Sequence, residues 1–312
     1  MFEDNMVKGI YDLMILGTGA AGMAAAIYAG RYGLKTVIIG KMLGGATNYR
    51  GPIENYPGHI GTGQALMETF EKQAKEFGAV FVAGNVDKLA KAKSGFIASV
   101  GDKKYEGKAL ITALGSEHRK LGIQGEAEFA GKGVSYCATC DGNFFKGKIV
   151  SVIGGSDAAA KAAIYLSDIC KKVYISYRKE KMRAEPINLQ KVVERKNIEI
   201  IYNTKPVEII GDTKVTGLKL ESSVGKKLAN DTLAVDGVFV EIGSTPIIEI
   251  FKGFDLKMEG GYIIVDKVGR TSVKGLYAAG DAANNPFKQT ITATADGVLA
   301  AKAAYDFLKL DK

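Results

Sequence analysis

The chain has 312 residues, 46% hydrophobic and 24% charged, a balance typical of a globular protein of about two domains at roughly 150 residues each. It has no apolar run near the roughly 20 residues that span a bilayer, and its acidic start lacks the basic lead of a signal segment, so we expect a cytoplasmic protein with no membrane association. Its net charge of +8 comes from dispersed lysines without arginine-rich blocks, which argues against nucleic acid as a partner.

The first predicted element is an apolar strand, Tyr11-Asp12-Leu13-Met14-Ile15-Leu16, that leads into a glycine-rich turn and a helix of small residues. The turn reads Gly17-Thr18-Gly19-Ala20-Ala21-Gly22, the GxGxxG pattern of a dinucleotide site. Gly17 permits the tight turn, Gly19 lets a pyrophosphate approach the backbone, and Gly22 lets the helix pack closely on the sheet. The pattern therefore predicts a dinucleotide-binding unit.

A pair of cysteines comes next, in Cys137-Ala138-Thr139-Cys140-Asp141-Gly142, shortly before a second strand and glycine turn. Two intervening residues bring the sulfurs within disulfide reach when the segment turns, and the closed loop is short. A dithiol beside a nucleotide-binding unit indicates electron transfer, because such a bridge can open and close. The remaining cysteine, Cys170, ends an apolar helix pattern, which predicts a small buried side chain without a chemical role.

One alternative is that the cysteine pair binds structural zinc in a nucleotide-sensing module. Zinc takes four ligands, and beyond the pair the chain offers only Cys170, His59 and His118. We therefore expect no metal site.

The strand, turn and helix pattern recurs from Val150 to Ala159, and the two helices share the tetrapeptide Ala-Ala-Ile-Tyr. Two such units imply two dinucleotides. In the second turn Gly154 keeps the first glycine position, whereas Ser156 replaces the middle glycine and Ala159 the third. The pyrophosphate approach is therefore tighter here than in the first unit.

The strand after this second turn ends in basic residues, where a carboxylate would hold the ribose of NAD. Arg178, Lys179 and Arg183 stand there, and such side chains pair with a 2′-phosphate, which favours NADP(H) over NAD(H). The first unit also lacks an acid at this position, since its second strand ends in Gly40-Lys41. The alternative for the basic residues is a solvated charge run.

The C-terminal region contains a strand that delivers Asp281 to a loop, followed by Gln289-Thr290 and a helix predicted from about Thr294 to Leu308. This region completes the first unit, so the middle of the chain is an insertion. We predict an α/β fold of two Rossmann-like dinucleotide-binding domains, the second inserted into the first. The first comprises residues 1–117 and 245–312, and residues 118–244 form the second, which carries the cysteines.

In order and spacing, the motifs of this chain resemble those of the low-molecular-weight thioredoxin reductases, essentially end to end. Besides the first glycine turn, the motifs are Glu54-Asn55-Tyr56-Pro57-Gly58, Ser135-Tyr136-Cys137-Ala138-Thr139-Cys140-Asp141-Gly142, Gly237-Val238-Phe239-Val240-Glu241-Ile242-Gly243 and Ala278-Ala279-Gly280-Asp281. The resemblance implies FAD in the outer domain, NADPH in the inserted domain, a homodimer, and thioredoxin or a thioredoxin-like protein as the disulfide substrate. It also implies a domain rotation by which the flavin alternately faces the nicotinamide and the cysteine pair.

The same resemblance implies roles for individual residues. Cys140 would lie against the flavin, Cys137 would attack the disulfide of the partner, and Asp141 would shuttle the proton that thiolate chemistry needs. The implied FAD contacts are Gly17, Gly19, Ala20, Ala21, Gly22, Gly44, Gly45, Asn55, Ala113, Gly115, Gly280, Asp281, Gln289 and Thr290. The implied NADPH contacts are Gly154, Gly155, Ser156, Arg178, Lys179 and Arg183.

The chain departs from the family pattern mainly where NADPH should bind. Ser156 stands where the family usually has glycine, Lys161-Ala162 where it usually has acidic residues, and Tyr177-Arg178-Lys179 where it usually reads His-Arg-Arg. These departures leave an alternative open, a flavin disulfide reductase of the same fold that takes electrons from NADH, a deazaflavin or ferredoxin. A ferredoxin-NADP reductase of similar fold is disfavoured, because such proteins do not need the cysteine pair.

Overall fold

The computed structural model describes residues 9–48, 52–225 and 231–310. The acidic opening residues, on which the expectation of no signal segment rests, lie outside this range. In the described residues, no helix is both long enough and apolar enough to cross a membrane. The chain forms two compact units, Met1–Glu117 with Pro246–Lys312 and His118–Thr245, which we call the outer unit and the inserted unit.

The secondary-structure elements are numbered in chain order. The strands are β1 (Tyr11–Leu16), β2 (Thr36–Gly40), β3 (Pro52–Tyr56), β4 (His59–Thr62), β5 (Val80–Ala83), β6 (Lys88–Ala92), β7 (Gly95–Val100), β8 (Lys103–Thr112), β9 (Ser116–His118), β10 (Val134–Ser135), β11 (Ile149–Ile153), β12 (Lys172–Tyr177), β13 (Ile198–Tyr202), β14 (Thr204–Gly211), β15 (Val215–Ser222), β16 (Thr232–Ala234), β17 (Gly237–Val240), β18 (Ser244–Pro246), β19 (Met258–Glu259), β20 (Tyr262–Ile263) and β21 (Leu276–Ala278). The helices are α1 (Ala20–Arg31), α2 (Gly63–Glu76), α3 (Ala138–Asp141), α4 (Asp157–Ser167), α5 (Pro186–Glu194) and α6 (Thr290–Leu310).

The described part of the outer unit is built on a sheet of seven strands in the order β5-β2-β1-β8-β7-β6, with β21 also paired to β8. β1, β2, β5 and β21 run parallel to their neighbours, whereas β6 and β7 are antiparallel additions. β1 is apolar on both faces because Leu13 and Ile15 enter one hydrophobic cluster while Met14 and Leu16 enter another. Both faces of the central strand are therefore covered.

Small residues let the helices α1 and α6 approach each other closely. A Cβ on Gly297 would lie 2.0 Å from the carbonyl oxygen of Ala21, so only glycine fits at this crossing. The close approach brings the beginning of α6 to the glycine turn that precedes α1. Residues from the two ends of the outer unit's sequence thereby meet at one edge of its sheet.

The described part of the inserted unit has five parallel strands in the order β10-β17-β11-β12-β13, together with the antiparallel ladder β14-β15-β16. Parallel strands all end at the same edge of a sheet. The cysteine turn follows β10, Glu241 follows β17, the second glycine turn follows β11, and Arg178 follows β12. The carboxyl edge of this sheet therefore gathers the residues that the sequence singles out.

The α/β fold with two strand, glycine turn and helix units is confirmed. The predicted start of the last helix is wrong, because α6 begins at Thr290 instead of about Thr294. Thr292 explains the earlier start, since its hydroxyl oxygen accepts a hydrogen bond from the Gln289 N–H at 3.0 Å. A side chain that reaches back to the residue before a helix stabilises the first turn.

Cys170 is 5% exposed and lies in the hydrophobic cluster of the inserted unit. The predicted buried position is confirmed. Burial, together with the nearby charge of Asp236, raises the pKa of its thiol to about 11, so at neutral pH the thiol stays protonated and unreactive.

Candidate active site

Two glycines of the first turn are required by packing within the protein. Gly17 has a φ of +109°, and a Cβ there would lie 2.1 Å from the carbonyl oxygen of Ala113. A Cβ on Gly22 would lie 1.9 Å from the carbonyl oxygen of Gly17. These contacts seat α1 directly on the turn that ends β1.

Gly19 differs from its neighbours because the protein leaves room beside it. A Cβ there would meet nothing closer than the Cα of Gly45 at 3.9 Å and the carbonyl oxygen of Gly44 at 4.0 Å. Gly19 is also the N-cap of α1, and it provides no side-chain hydrogen bond to the first turn of the helix. Open backbone donors at the positive end of a helix, next to unfilled space, fit a pyrophosphate group.

Predicted contacts of the C-terminal segment meet residues from the first part of the chain. A Cβ on Gly280 would lie 3.2 Å from the Cβ of Ala21. The Asn55 side-chain amide donates to Gln289 Oε1 at 2.9 Å, and the hydroxyls of Thr290 and Thr47 are 3.2 Å apart. Gly44 joins the turn through its N–H, which donates to the Thr18 carbonyl at 2.7 Å.

The other predicted contacts of the outer unit lie in two places. Ala113 touches Gly17, and Ala20 begins α1. Gly115 sits where the chain leaves the outer unit, and its carbonyl accepts from the Ile247 N–H at 3.1 Å. No contact described here joins Gly115 to the turn. A binding role for all these residues stays a prediction.

Two charged residues near Gly280 and Asp281, namely Asp296 and Lys288, were not predicted as site residues from the sequence. The Asp296 carboxylate accepts from the Gly280 N–H at 3.2 Å and from the Asn285 amide. The Lys288 ammonium donates to the carbonyls of Asp281 at 3.1 Å and Ala283 at 2.8 Å. Burial raises the pKa of the Asp281 and Asp296 carboxyls and lowers the pKa of the Lys288 ammonium. The only sequence signal for Asp296 is an acid within an otherwise apolar stretch of α6.

In the inserted unit, Cys137 and Cys140 form a disulfide with a Cα–Cα distance of 5.3 Å. Cys137 is the N-cap of α3, and its sulfur accepts from the Cys140 N–H at 3.2 Å. Asp141 ends the same helix. In the described part of the chain, no group of three or more His, Cys, Asp or Glu side chains could hold a metal ion.

A buried serine that sequence reasoning did not select connects these residues. Ser135 is the last residue of β10, and its hydroxyl donates to Asp141 Oδ2 at 2.7 Å. The same oxygen accepts from the Cys137 N–H at 3.0 Å. A polar residue at the end of a buried strand, two positions before a cysteine, was the available signal.

The second glycine turn is packed differently from the first. Gly154 has a φ of +150°, and a Cβ there would lie 2.2 Å from the carbonyl oxygen of Glu241. Gly155 lies under the aromatic ring of Tyr177, since its Cβ would be 2.4 Å from three ring carbons. Tyr177 is 6% exposed, and its hydroxyl has no hydrogen-bond partner among the described residues. The aromatic ring therefore occupies one side of this turn.

The predicted phosphate-binding residues lie beside this second turn. Ser156 is the N-cap of α4 and makes no side-chain cap. The Arg183 N–H donates to the Gly155 carbonyl at 2.7 Å, which ties the basic loop to the turn. The side chains of Arg178, Lys179 and Arg183 are exposed and form no hydrogen bond or ion pair within the described residues. The arrangement fits a phosphate group, whose binding stays a prediction.

Glu241 adds a pH-sensitive carboxyl to this edge, because burial raises its pKa from 4.5 to about 7. The folded protein therefore holds this proton more tightly than the unfolded chain does. The free energy of unfolding therefore falls as the pH rises from 4.5 to about 7, and the loss is complete above about pH 7. We expect Glu241→Gln to raise the free energy of unfolding by about 1–3 kcal/mol at pH 8 and to change it little at pH 4.

Urea denaturation at the two pH values measures this effect. Glu128→Gln is the matched control, since Glu128 is an exposed glutamate of the same unit. An equal gain at both pH values would show that the effect does not come from ionisation of Glu241.

The sequence and fold of this chain are similar to those of known proteins. Residues 11–297 match the family described as pyridine nucleotide-disulphide oxidoreductase. The chain is 41% identical over 301 residues to the thioredoxin reductase of Treponema pallidum, covering 96% of this chain and 97% of that protein. It is 39% identical over 303 residues to the thioredoxin reductase of Listeria monocytogenes, covering 96% and 94%.

A solved structure is also similar, that of Lactococcus lactis thioredoxin reductase in its FR conformation. Its TM-score is 0.92 and its identity 35%, with 96% of this chain and 99% of that chain covered. The resemblance read from the sequence motifs is confirmed.

Proposed function

Because this chain belongs to the pyridine nucleotide-disulphide oxidoreductase family, we propose that it is a thioredoxin reductase. The family and its curated members imply a flavin and a pyridine nucleotide. In our proposal these are FAD and NADPH, and the electrons pass through the Cys137–Cys140 disulfide to thioredoxin or a similar small protein. The observation that carries the proposal is a disulfide at the carboxyl edge of a dinucleotide-binding sheet, beside a carboxylate able to exchange a proton.

We assign FAD to the outer unit. The uncapped start of α1 and the space at Gly19 would accommodate its pyrophosphate, as the fit described above supports. The cofactor supplies a carrier that accepts a hydride and releases its electrons to a disulfide. The start of α6, with Gln289 and Thr290, contributes a second positive helix end to the same region.

We assign NADPH to the inserted unit. Three exposed basic side chains, Arg178, Lys179 and Arg183, have no ion pair among the described residues, so they are available to a 2′-phosphate. The Asp157 carboxylate has other partners, because it accepts from the Glu185 N–H at 2.7 Å and the Asn188 amide at 3.0 Å. This pattern supports NADPH over NADH.

The thiols carry out the exchange with the partner protein. The Cys137 thiolate attacks one sulfur of the partner's disulfide, which forms a mixed disulfide and releases one partner thiolate. The Cys140 thiolate then attacks the Cys137 sulfur, re-forming the internal disulfide and releasing the second partner thiolate. Asp141 takes up and returns the protons of these steps. In balance, one dithiol is oxidised and one disulfide is reduced.

Anaerobic titration of the purified flavoprotein with NADPH, and separately with NADH, tests the proposed donor. We expect NADPH to bleach the flavin absorbance at lower concentration than NADH. Arg183→Ala should raise the NADPH concentration for half-bleaching by about tenfold, the value of one charge-assisted hydrogen bond. Lys181→Ala is the control, because Lys181 is exposed in the same loop but outside the predicted set. Equal effects of both substitutions would mean that Arg183 contributes only positive charge to the loop and makes no specific contact with the 2′-phosphate.

One observation favours the alternative donor. The Tyr177 ring packs on Gly155, and Ser156 takes the place of the middle glycine, so the turn offers less open backbone than the first one. If the alternative donor is NADH, NADH alone bleaches the flavin. If it is not a nicotinamide nucleotide, neither nucleotide bleaches the flavin, whereas dithionite does and the reduced protein still reduces thioredoxin. That result would move the donor to a deazaflavin or ferredoxin.

A further inference from the structure

The Ser135 hydroxyl stands between the two groups that the thiol chemistry uses. Its oxygen is 2.7 Å from Asp141 Oδ2 and 3.0 Å from the Cys137 backbone nitrogen, and it is also 3.3 Å from the Cys137 carbonyl oxygen. A hydroxyl has one proton to donate. The carboxylate is the nearer and the charged acceptor, so the proton goes to Asp141.

The sheet fixes the position of this hydroxyl. Ser135 pairs with Phe239 of β17 in a parallel ladder and is 4% exposed. Asp141, in contrast, belongs to the four-residue helix α3. In the described part of the chain, Ser135 is the only side chain that hydrogen-bonds to the Asp141 carboxylate. The carboxylate is therefore held through Ser135.

We propose that Ser135 is a positioning residue for the dithiol step, holding the Asp141 carboxylate oriented as the base for the Cys137 thiol. The inference rests on the proposed function only in taking the dithiol as the working form of the protein. When the Cys137 S–H bond breaks, its proton forms an O–H bond on Asp141, and the electron pair stays on the sulfur. The Ser135 O–H stabilises the carboxylate until that transfer.

Other titratable groups lie on the neighbouring elements but have different partners. α4, which packs against α3, carries Asp157, Lys161 and Tyr165, and Asp157 is bonded to α5. Tyr136, which follows β10, donates to Glu126 at 2.8 Å. Glu241 directly follows β17, and Lys146 lies shortly after the end of α3. None of these side chains forms a described hydrogen bond to Asp141.

Without the Ser135 donor, the Asp141 carboxylate loses its described hydrogen bond and is no longer held in place. The rate of the thiol reaction should therefore fall about tenfold in Ser135→Ala. Ser135→Thr keeps the hydroxyl and should restore the rate.

The reaction of the dithiothreitol-reduced full-length protein with the small disulfide DTNB measures this by stopped flow across pH 5 to 9. It requires neither nucleotide nor thioredoxin, so failure of the proposed donor or partner would not affect it. Ser151→Ala is the matched control, since Ser151 is a buried serine of the same sheet whose hydroxyl has no partner among the described residues. Its profile should match the parent.

Asp141→Asn removes the base and should itself slow the reaction. Adding Ser135→Ala to that variant should then cause no further loss of rate. An unchanged rate in Ser135→Ala, or the same loss of rate with and without Asp141, would overturn the proposal.

Discussion

Replacement of both Cys137 and Cys140 with serine is expected to abolish thioredoxin reduction, by at least about a thousandfold, while NADPH still bleaches the flavin. Serine cannot form the internal disulfide, and its hydroxyl is not a competent nucleophile at neutral pH. The fold should survive the change. Among the described contacts, the Cys137 sulfur makes one hydrogen bond to the backbone, in which it caps α3 by accepting from the Cys140 N–H. Serine is among the best residues at that position.

Steady-state thioredoxin reduction and anaerobic flavin bleaching together measure this separation. Cys170→Ala is the control, since Cys170 is buried and has no assigned role; it should keep the parent activity with some loss of stability. If the double serine variant still reduced thioredoxin, electrons would leave the protein by a route that does not use this disulfide.

Substitution of Gly19 with alanine is expected to remove the flavin without unfolding the protein. The backbone at Gly19 has an ordinary φ of −81°, and a Cβ would stand 3.9 Å from the nearest protein atom. The protein therefore has room for the methyl group of alanine, whereas a pyrophosphate lying against this backbone would clash with it. We expect the dissociation constant of the flavin to rise at least about tenfold, which corresponds to about 1.4 kcal/mol of binding free energy, and the flavin content per chain to fall.

The flavin-to-protein absorbance ratio and the melting temperature of the flavin-stripped protein separate binding from folding. Gly217→Ala is the matched control, because Gly217 lies in a strand of the inserted unit with its nearest atom at 3.4 Å. Gly22→Ala should instead impair folding itself, since its Cβ would overlap the Gly17 carbonyl. Full flavin retention in Gly19→Ala would mean that no phosphate approaches this turn.

Local patterns explain why much of the fold was predictable. β1 was predicted with its observed bounds, because a short apolar run before a glycine turn has few other conformations. The start of α6 was missed because a single hydroxyl, that of Thr292, decides it. Helix ends depend on such individual bonds more than on the periodic pattern.

The candidate site was predictable only where a motif is contiguous. The cysteine pair and the glycine turns carry their chemistry within a few residues. Contacts between strand ends are set by the order of strands in the sheet, so the Glu241 carbonyl against Gly154 and the Tyr177 ring over Gly155 could not be read from spacing. Ser135 was overlooked for a different reason, because its importance lies in two bonds that a composition pattern does not show.

Because Cys170 is buried, the accessible thiols of the chain report the redox state of the Cys137–Cys140 pair alone. Of the three cysteines, one is enclosed with its thiol protonated, and the other two open and close together. A colour reagent for accessible thiols should therefore read zero on the oxidised chain and two on the reduced chain. Each reading converts directly into the number of electrons stored in the cysteine pair, without reference to the flavin spectrum.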